Sequence, residues 1–307
     1  MYPPPQIIES EVFARMPDRL RIRDRPVDWL RVQRRGLPVD SFLEGPSFDR
    51  DGNLYVVDVP YGRIFRVDPR GEFELVVEYD GEPNGLKICR DGRIFVADHK
   101  HGLMLLDPAA GRIEAFCDRP TLERFKGLND LFIARDGNFY FTDQGQTGLQ
   151  DPTGRVYRLS PTGRLDCLMD NIPSPNGIVL DTEATTIYVA VTRANAIWRL
   201  PLTLDGVPSK VGLFIQMSGG VGPDGLAFDE LGNLLVCHPG TSSAWLFSPS
   251  GEPLYRVRSC ADDFITNAAY GGEGRLWLYM IESHSGSILR ARMPFPGRAM
   301  DSHVDEQ

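Results

Sequence analysis

The chain has 307 residues, 42% of them apolar and 24% charged, ordinary values for a globular protein with a sizeable core. A formal charge of -9 and a pI near 5.1 supply no basic stripe for a phosphate backbone, which excludes nucleic acid as an expected partner. No stretch reaches the roughly 18 consecutive apolar residues of a membrane span, and Met1 to Pro5 lacks the basic and apolar regions of a signal peptide, so a cytoplasmic location without membrane contact is expected.

Residues 1–40 form an N-terminal segment ahead of any repeat. From there, Asp51-Gly52-Asn53, Asp91-Gly92-Arg93 and Asp136-Gly137-Asn138 each introduce a short apolar strand, and weaker versions recur at Thr182-Glu183-Ala184, Leu231-Gly232-Asn233 and Glu273-Gly274-Arg275. The strand starts that follow, Leu54, Ile94, Phe139, Ile187, Leu234 and Leu276, are 40, 45, 48, 47 and 42 residues apart. A period of about 40 to 50 residues is that of a propeller blade.

Each unit repeats one grammar. A β-branched and aromatic run such as Leu54-Tyr55-Val56-Val57-Asp58 is followed by an alternating run such as Ile64-Phe65-Arg66-Val67, then by a third such as Phe73-Glu74-Leu75-Val76-Val77. The segment before each Asp-Gly turn makes a fourth strand. The expectation is an all-β, six-bladed β-propeller with four antiparallel strands per blade, spanning residues 41–294 and followed by a polar, frayed tail over 295–307. The sixth unit offers only three strands, so a strand from the first 40 residues, with Trp29 to Val32 as the candidate, is expected to complete it. Five scattered cysteines, Cys89, Cys117, Cys167, Cys237 and Cys260, lack metal-site spacing and read as reduced thiols.

The repeat also identifies which residues occupy equivalent places. Stepping back 9 to 11 residues from each strand start gives Glu44, Asn84, Asn129, Asn176, Asp224 and Asn267, all polar and all at the start of the innermost strand. A ring brings them together around its axis at one end of the channel. Inward carboxylates and amides with no cation among them are costly to bury unless a positive charge joins them. Oxygen-only donors suit one divalent metal ion, Ca²⁺ first, with Mg²⁺, Mn²⁺ or Zn²⁺ as alternatives, and Glu44 and Asp224 balance its charge.

Four motifs in order carry a resemblance: Glu44-Gly45-Pro46, Asn129-Asp130, Pro175-Asn176-Gly177-Ile178, and Pro223-Asp224-Gly225 with Phe228-Asp229. The sequence resembles the senescence marker protein/gluconolactonase family of calcium-dependent propellers, which includes sugar lactonases, other bacterial lactonases and diisopropyl fluorophosphatase. The resemblance implies that Glu44, Asn129, Asn176 and Asp224 hold the metal, leaving Asn84 and Asn267 to the substrate or its water shell. Sugar lactonases of the family usually carry arginine two residues before the blade-three asparagine. Gly127 stands there in this chain, with Lys126 the nearest cation, a departure that weakens the inference of a sugar substrate.

The expected function is metal-dependent hydrolysis of a lactone, with a polarised carbonyl attacked by water, Asp224 as base, and Asn129 and Asn176 in the catalytic set. The alternatives are phosphotriester or fluorophosphate hydrolysis at the same site and a non-enzymatic calcium-binding scaffold. His284, just after the sixth-blade strand, is either a base or substrate-binding group at the rim or an ordinary hydrogen-bonded loop histidine. Asp143 either orients substrate beneath the Gln144 to Pro152 loop or is a strand-end residue like Asp58 and Asp98. The expected partner is a small-molecule substrate, with no obligatory protein partner.

Overall fold

The computed structural model describes residues 2–304. Its N-terminal segment carries β1 (Gln6–Glu9), β2 (Glu11–Arg15) and the short helix α1 (Asp28–Gln33). Blade 1 holds β3 (Leu43–Phe48), β4 (Leu54–Asp58), β5 (Arg63–Val67) and β6 (Phe73–Glu78); blade 2 holds β7 (Pro83–Ile88), β8 (Ile94–Asp98), β9 (Gly102–Asp107) and β10 (Arg112–Cys117). Blade 3 follows with β11 (Leu128–Ile133), β12 (Phe139–Asp143), β13 (Gly154–Leu159) and β14 (Leu165–Ile172). Blade 4 comprises β15 (Pro175–Leu180), β16 (Thr186–Val191), β17 (Ala196–Pro201) and β18 (Gly212–Gln216). Blade 5 runs through β19 (Leu226–Phe228), β20 (Leu234–His238), β21 (Ser243–Phe247) and β22 (Pro253–Arg258), and blade 6 through β23 (Ile265–Gly271), β24 (Trp277–Glu282) and β25 (Ser287–Arg292).

This is a six-bladed β-propeller of antiparallel sheets. The first strand of each blade touches the first strand of the next, and these inner strands form the ring around the axis. The turns between first and second strands work as their sequence suggests. Asp49 accepts from the backbone of Asp51 and Asn53 and from the Asn53 side chain, and Asp229 treats Leu231 and Asn233 in the same way. Gly52 adopts φ +82°, and in the weak fourth repeat Ala184 must take the equivalent left-handed conformation at φ +56°. Aromatic and branched side chains pack between blades, with Phe65, Phe95, Phe141 and Leu131 wholly buried.

The strand that completes blade 6 is β2, paired antiparallel with β25, and not Trp29 to Val32, which belongs to α1. Pro26 ahead of the segment and Asp28 in the first turn favour a helix there, and Leu30 is its buried contact. After a single intervening residue, β1 reaches back to blade 5 and pairs parallel with β22 as a fifth strand. The chain then crosses one end of the ring through α1 before entering β3.

Residues 295–304 do not fray. They cross the opposite end and touch every blade. Arg275 of blade 6 donates to the Gly297 carbonyl, the Arg298 amide donates to Phe228 of blade 5, and its guanidinium donates to Leu180 of blade 4 while lying over Phe132 of blade 3. Asp301 receives the Arg90 guanidinium of blade 2, and Arg50 of blade 1 donates to the Ser302 carbonyl. All five cysteines are free thiols, and Cys89 and Cys237 are buried.

Candidate active site

Glu44, Asn84, Asn129 and Asn176 are each second in the inner strand of their blade; Asp224 lies two residues before β19 and Asn267 is third in β23. At this place the ladder to the second strand slips in five blades, between Glu44 and Ser47, Pro83 and Gly85, Leu128 and Leu131, Pro175 and Ile178, and Ile265 and Asn267. A β-bulge bends the strand and re-aims a side chain. Here the repeated bulge sits at the polar position each time.

The glycine that follows has a packing reason beyond turn formation. A Cβ on Gly45 would lie 2.2 Å from the Asn84 carbonyl oxygen, one on Gly177 2.3 Å from that of Asp224, and one on Gly225 2.3 Å from the Asn267 side-chain oxygen. Each inner strand therefore approaches the next closely enough that the polar residues share one space. Glu44, Asn84, Asn129, Asn176 and Asp224 line a single cavity of about 370 Å³ at the end crossed by α1.

Asn267 is brought to the same ring but not to that cavity wall. Its amide donates to Glu44 Oε2 at 3.0 Å, so it holds a carboxylate of the ring. Asn129 donates through Nδ2 to Gln144 Oε1 at 2.9 Å, and Gln144 is anchored in turn on Ser174 at 3.0 Å. This fixes the Asn129 amide and leaves its carbonyl oxygen as the available donor to an ion.

The sequence reading missed a third carboxylate. Asp130, buried beside the ring, sits 3.7 Å from Lys87 Nζ, and this pair is internally balanced. Glu44, buried, and Asp224, half-buried, form no ion pair, although the Arg193 guanidinium favours the ionised form of Asp224 from a greater distance. Burial pushes Glu44 up to about 7, although the Gly45 amide and the Thr266 and Asn267 side chains favour its ionised form. Asp224 is raised well above the usual carboxylate range by burial and by repulsion from Glu44 and Asp130. Burial raises Asp130 as well, against the pull of Lys87. Two oxygen acids short of a 2+ charge, with amide oxygens beside them, fit a hard divalent cation.

Asp143 does not line the cavity. It is fully buried at the end of β12 and accepts from the Gly127 amide at 2.8 Å. Asp58 accepts from Phe42, Asp98 from Glu82 and Glu282 from Phe264 in the same manner, so these acids fix the chain just ahead of each inner polar residue. His284 also stands back from the cavity. Its ring stacks on Phe264, with centroids 4.1 Å apart, and its Nε2 is 3.0 Å from Arg34 Nη1. Because a guanidinium only donates, Nε2 accepts and the proton lies on Nδ1, 3.6 Å from Asp263. Asp262, Asp263 and His284 are close enough to bind a metal together. Nε2 is already engaged by Arg34, which leaves Nδ1 as the ring nitrogen facing the two acids.

Several lining groups were not anticipated as site residues. Trp29, Gln33 and Arg34 reach the cavity from α1 and its end, His99 from the end of β8, and Arg193 from the turn after β16. His99 explains the unusual Gly127: that glycine has φ +146°, and a Cβ on it would fall 2.3 Å from the His99 ring. The imidazole fills the room a side chain would need, and burial lowers its pKa and keeps it neutral.

A six-bladed propeller with an oxygen-lined, acidic well at one end of its axis defines the class of protein. The chain belongs to the SMP-30/gluconolactonase/LRE-like family, whose model matches residues 42–284. It is 32% identical over 285 residues to a gluconolactonase of Zymomonas mobilis, covering 82% of this chain and 78% of that protein. It is also 32% identical over 241 residues to the lactonase drp35 of Staphylococcus aureus, covering 75% and 72%. Among solved structures, the calcium-binding protein regucalcin of Agrobacterium tumefaciens superimposes with a TM-score of 0.76 over 96% of this chain and 98% of its own, at 19% identity, a likeness of fold.

Proposed function

We propose that this protein is a divalent-cation-dependent hydrolase that opens a lactone ring. The observation that carries the reading is the meeting of Glu44, Asn129, Asn176 and Asp224, from four blades, on one cavity whose two carboxylates make no ion pair. The named lactonase relatives support the reaction class. In this reading those four residues hold the ion, with Ca²⁺ the best match to a wholly oxygen donor set. Such an ion supplies electrophilic polarisation of an ester carbonyl.

The chain's own groups do the rest. Glu44 is held by the Gly45 amide at 2.7 Å and by Asn267, so its carboxylate keeps one orientation. Asp224, ionised, takes a proton from the attacking water as the new C–O bond forms at the carbonyl carbon. That proton then goes to the ring oxygen as the ester C–O bond breaks, leaving a hydroxy acid. His99, neutral and bordering the same cavity, is the second group able to accept the proton. Trp29, Phe42 and Phe264 give one wall an apolar surface for the ring carbons.

The test is a pH-indicator screen of γ- and δ-lactones with chelated protein, to which Ca²⁺, Mg²⁺, Mn²⁺ or Zn²⁺ is restored. Acid release only with metal is expected, and Asn176→Ala should lower metal affinity and turnover together. Calcium binding without turnover of any lactone would leave a calcium-binding propeller, and full activity of Asn176→Ala in chelator would remove the metal from the reaction.

A further inference from the structure

Two guanidinium groups face the same cavity as the acidic well, and no carboxylate of the described residues lies in ion-pair distance of either. Arg34 caps the end of α1 and spends Nη1 on His284, while its Nε is buried with no partner at all. Arg193 stands exposed on the turn between β16 and β17, near enough to Asp224 to favour its ionised form. A buried, unsatisfied guanidinium N–H is costly, and a planar fork of donors is matched best by a carboxylate.

Resting on the lactonase reading above, we infer that the substrate is an anionic lactone, whose exocyclic carboxylate is bound by Arg34 and Arg193 while its ring lies toward the well. The division of the cavity supports this. The cationic groups come from α1 and from the blade-four turn at the mouth, whereas the acids and amides come from the inner strands. A substrate with one anionic end and one ester end spans the two. A neutral lactone would leave both guanidinium groups of the cavity without an ionic partner. Gly127 contributes no side chain, and Arg34 and Arg193 are the two arginines that line the cavity.

The experiment compares kcat/KM of the calcium-loaded full chain for γ-butyrolactone bearing a γ-carboxylate and for the corresponding primary amide, a neutral molecule of nearly the same shape. The wild type should prefer the carboxylate by about tenfold or more, chiefly through KM, as expected for charge-assisted hydrogen bonds. The preference should shrink as salt is added, since an exposed arginine is screened. In Arg193→Gln it should fall, and in Arg34→Gln/Arg193→Gln approach parity, with Arg193→Lys retaining part of it. Binding of 2-hydroxyglutarate, the ring-opened product of the probe, measured by calorimetry, should weaken in parallel. Because Arg193 is exposed, its variant remains informative even where substitution of Arg34 disturbs α1. Equal turnover of acid and amide by the wild type, or a preference that survives in the double variant, overturns this inference alone. Absence of turnover for every lactone, charged or neutral, overturns the lactonase reading and this inference with it.

Discussion

At the residue scale, the site is a problem of buried charge. With no ion bound, Glu44 titrates near 7 in the fold against an ordinary 4.5, because burial disfavours its charged form. Between those two values the folded state holds a proton that the unfolded chain has released, so stability falls as pH rises. For this one group, metal-free protein should lose about 1 kcal/mol between pH 6 and pH 8, a melting shift of about 2 °C. Calcium binds the ionised form, so its stabilising effect should be larger at pH 8 than at pH 6. Thermal melts with chelator and with calcium at both pH values check this, and a metal-free protein more stable at pH 8 would contradict it. The repeat made the six ring positions legible as equivalent places, and the motif resemblance singled out Glu44, Asn129, Asn176 and Asp224 among them. Arg34, Arg193 and His99 were not legible, since they reach the cavity from α1 and from strand ends whose register the repeat does not specify. Asp143 stayed open between two readings for a related reason: a polar strand-end residue can face the mouth or turn back to its neighbour's amide, and the fold chooses the second, as at Asp58 and Asp98.

At the element scale, the bulges and their glycines hold the inner strands close. Gly177→Ala places a methyl group 2.3 Å from the Asp224 carbonyl oxygen, which belongs to backbone and cannot swing away. A cost of about 2 kcal/mol is expected from such overpacking, together with weaker calcium binding, because Asp224 must shift. Chemical denaturation and calcium titration of the variant measure both effects; unchanged values in each would show that the strands have slack. The glycines were visible in Pro-Asn-Gly and Pro-Asp-Gly, but a single sequence presents them as turn formers. Their second duty, allowing the neighbouring blade's backbone to approach, depends on contacts across about 40 residues of chain. The misassigned closing strand has a similar origin. Trp29-Leu30-Arg31-Val32 is an apolar run short enough to read as strand or helix, and Glu11-Val12-Phe13-Ala14-Arg15 was passed over although it is the segment that meets β25.

At the scale of the whole molecule, both ends of the chain secure the ring. β1 and β2 tie blade 5 to blade 6, and residues 297–304 bind all six blades at the end away from the site. Asp301→Ala removes the partly buried partner of Arg90 and should cost about 2 kcal/mol while leaving calcium affinity within error, because the site lies at the other end. Unfolding curves and a calcium titration of that variant test the separation; a large loss of calcium affinity without loss of stability would contradict it. The sixfold period made this architecture legible. The C-terminal crossing was not, because a short segment of mixed polar and apolar residues gives no periodic signal even when it is held by hydrogen bonds to several blades.

The central claim is that oxygen groups from four blades grip one cation, and locating the ion by anomalous diffraction from crystals grown with calcium tests it most directly. A single peak is predicted within coordination distance of Glu44, Asn129, Asn176 and Asp224. A peak at Asp262, Asp263 and His284 in its place, or no ion on the axis at saturating calcium, would contradict the account.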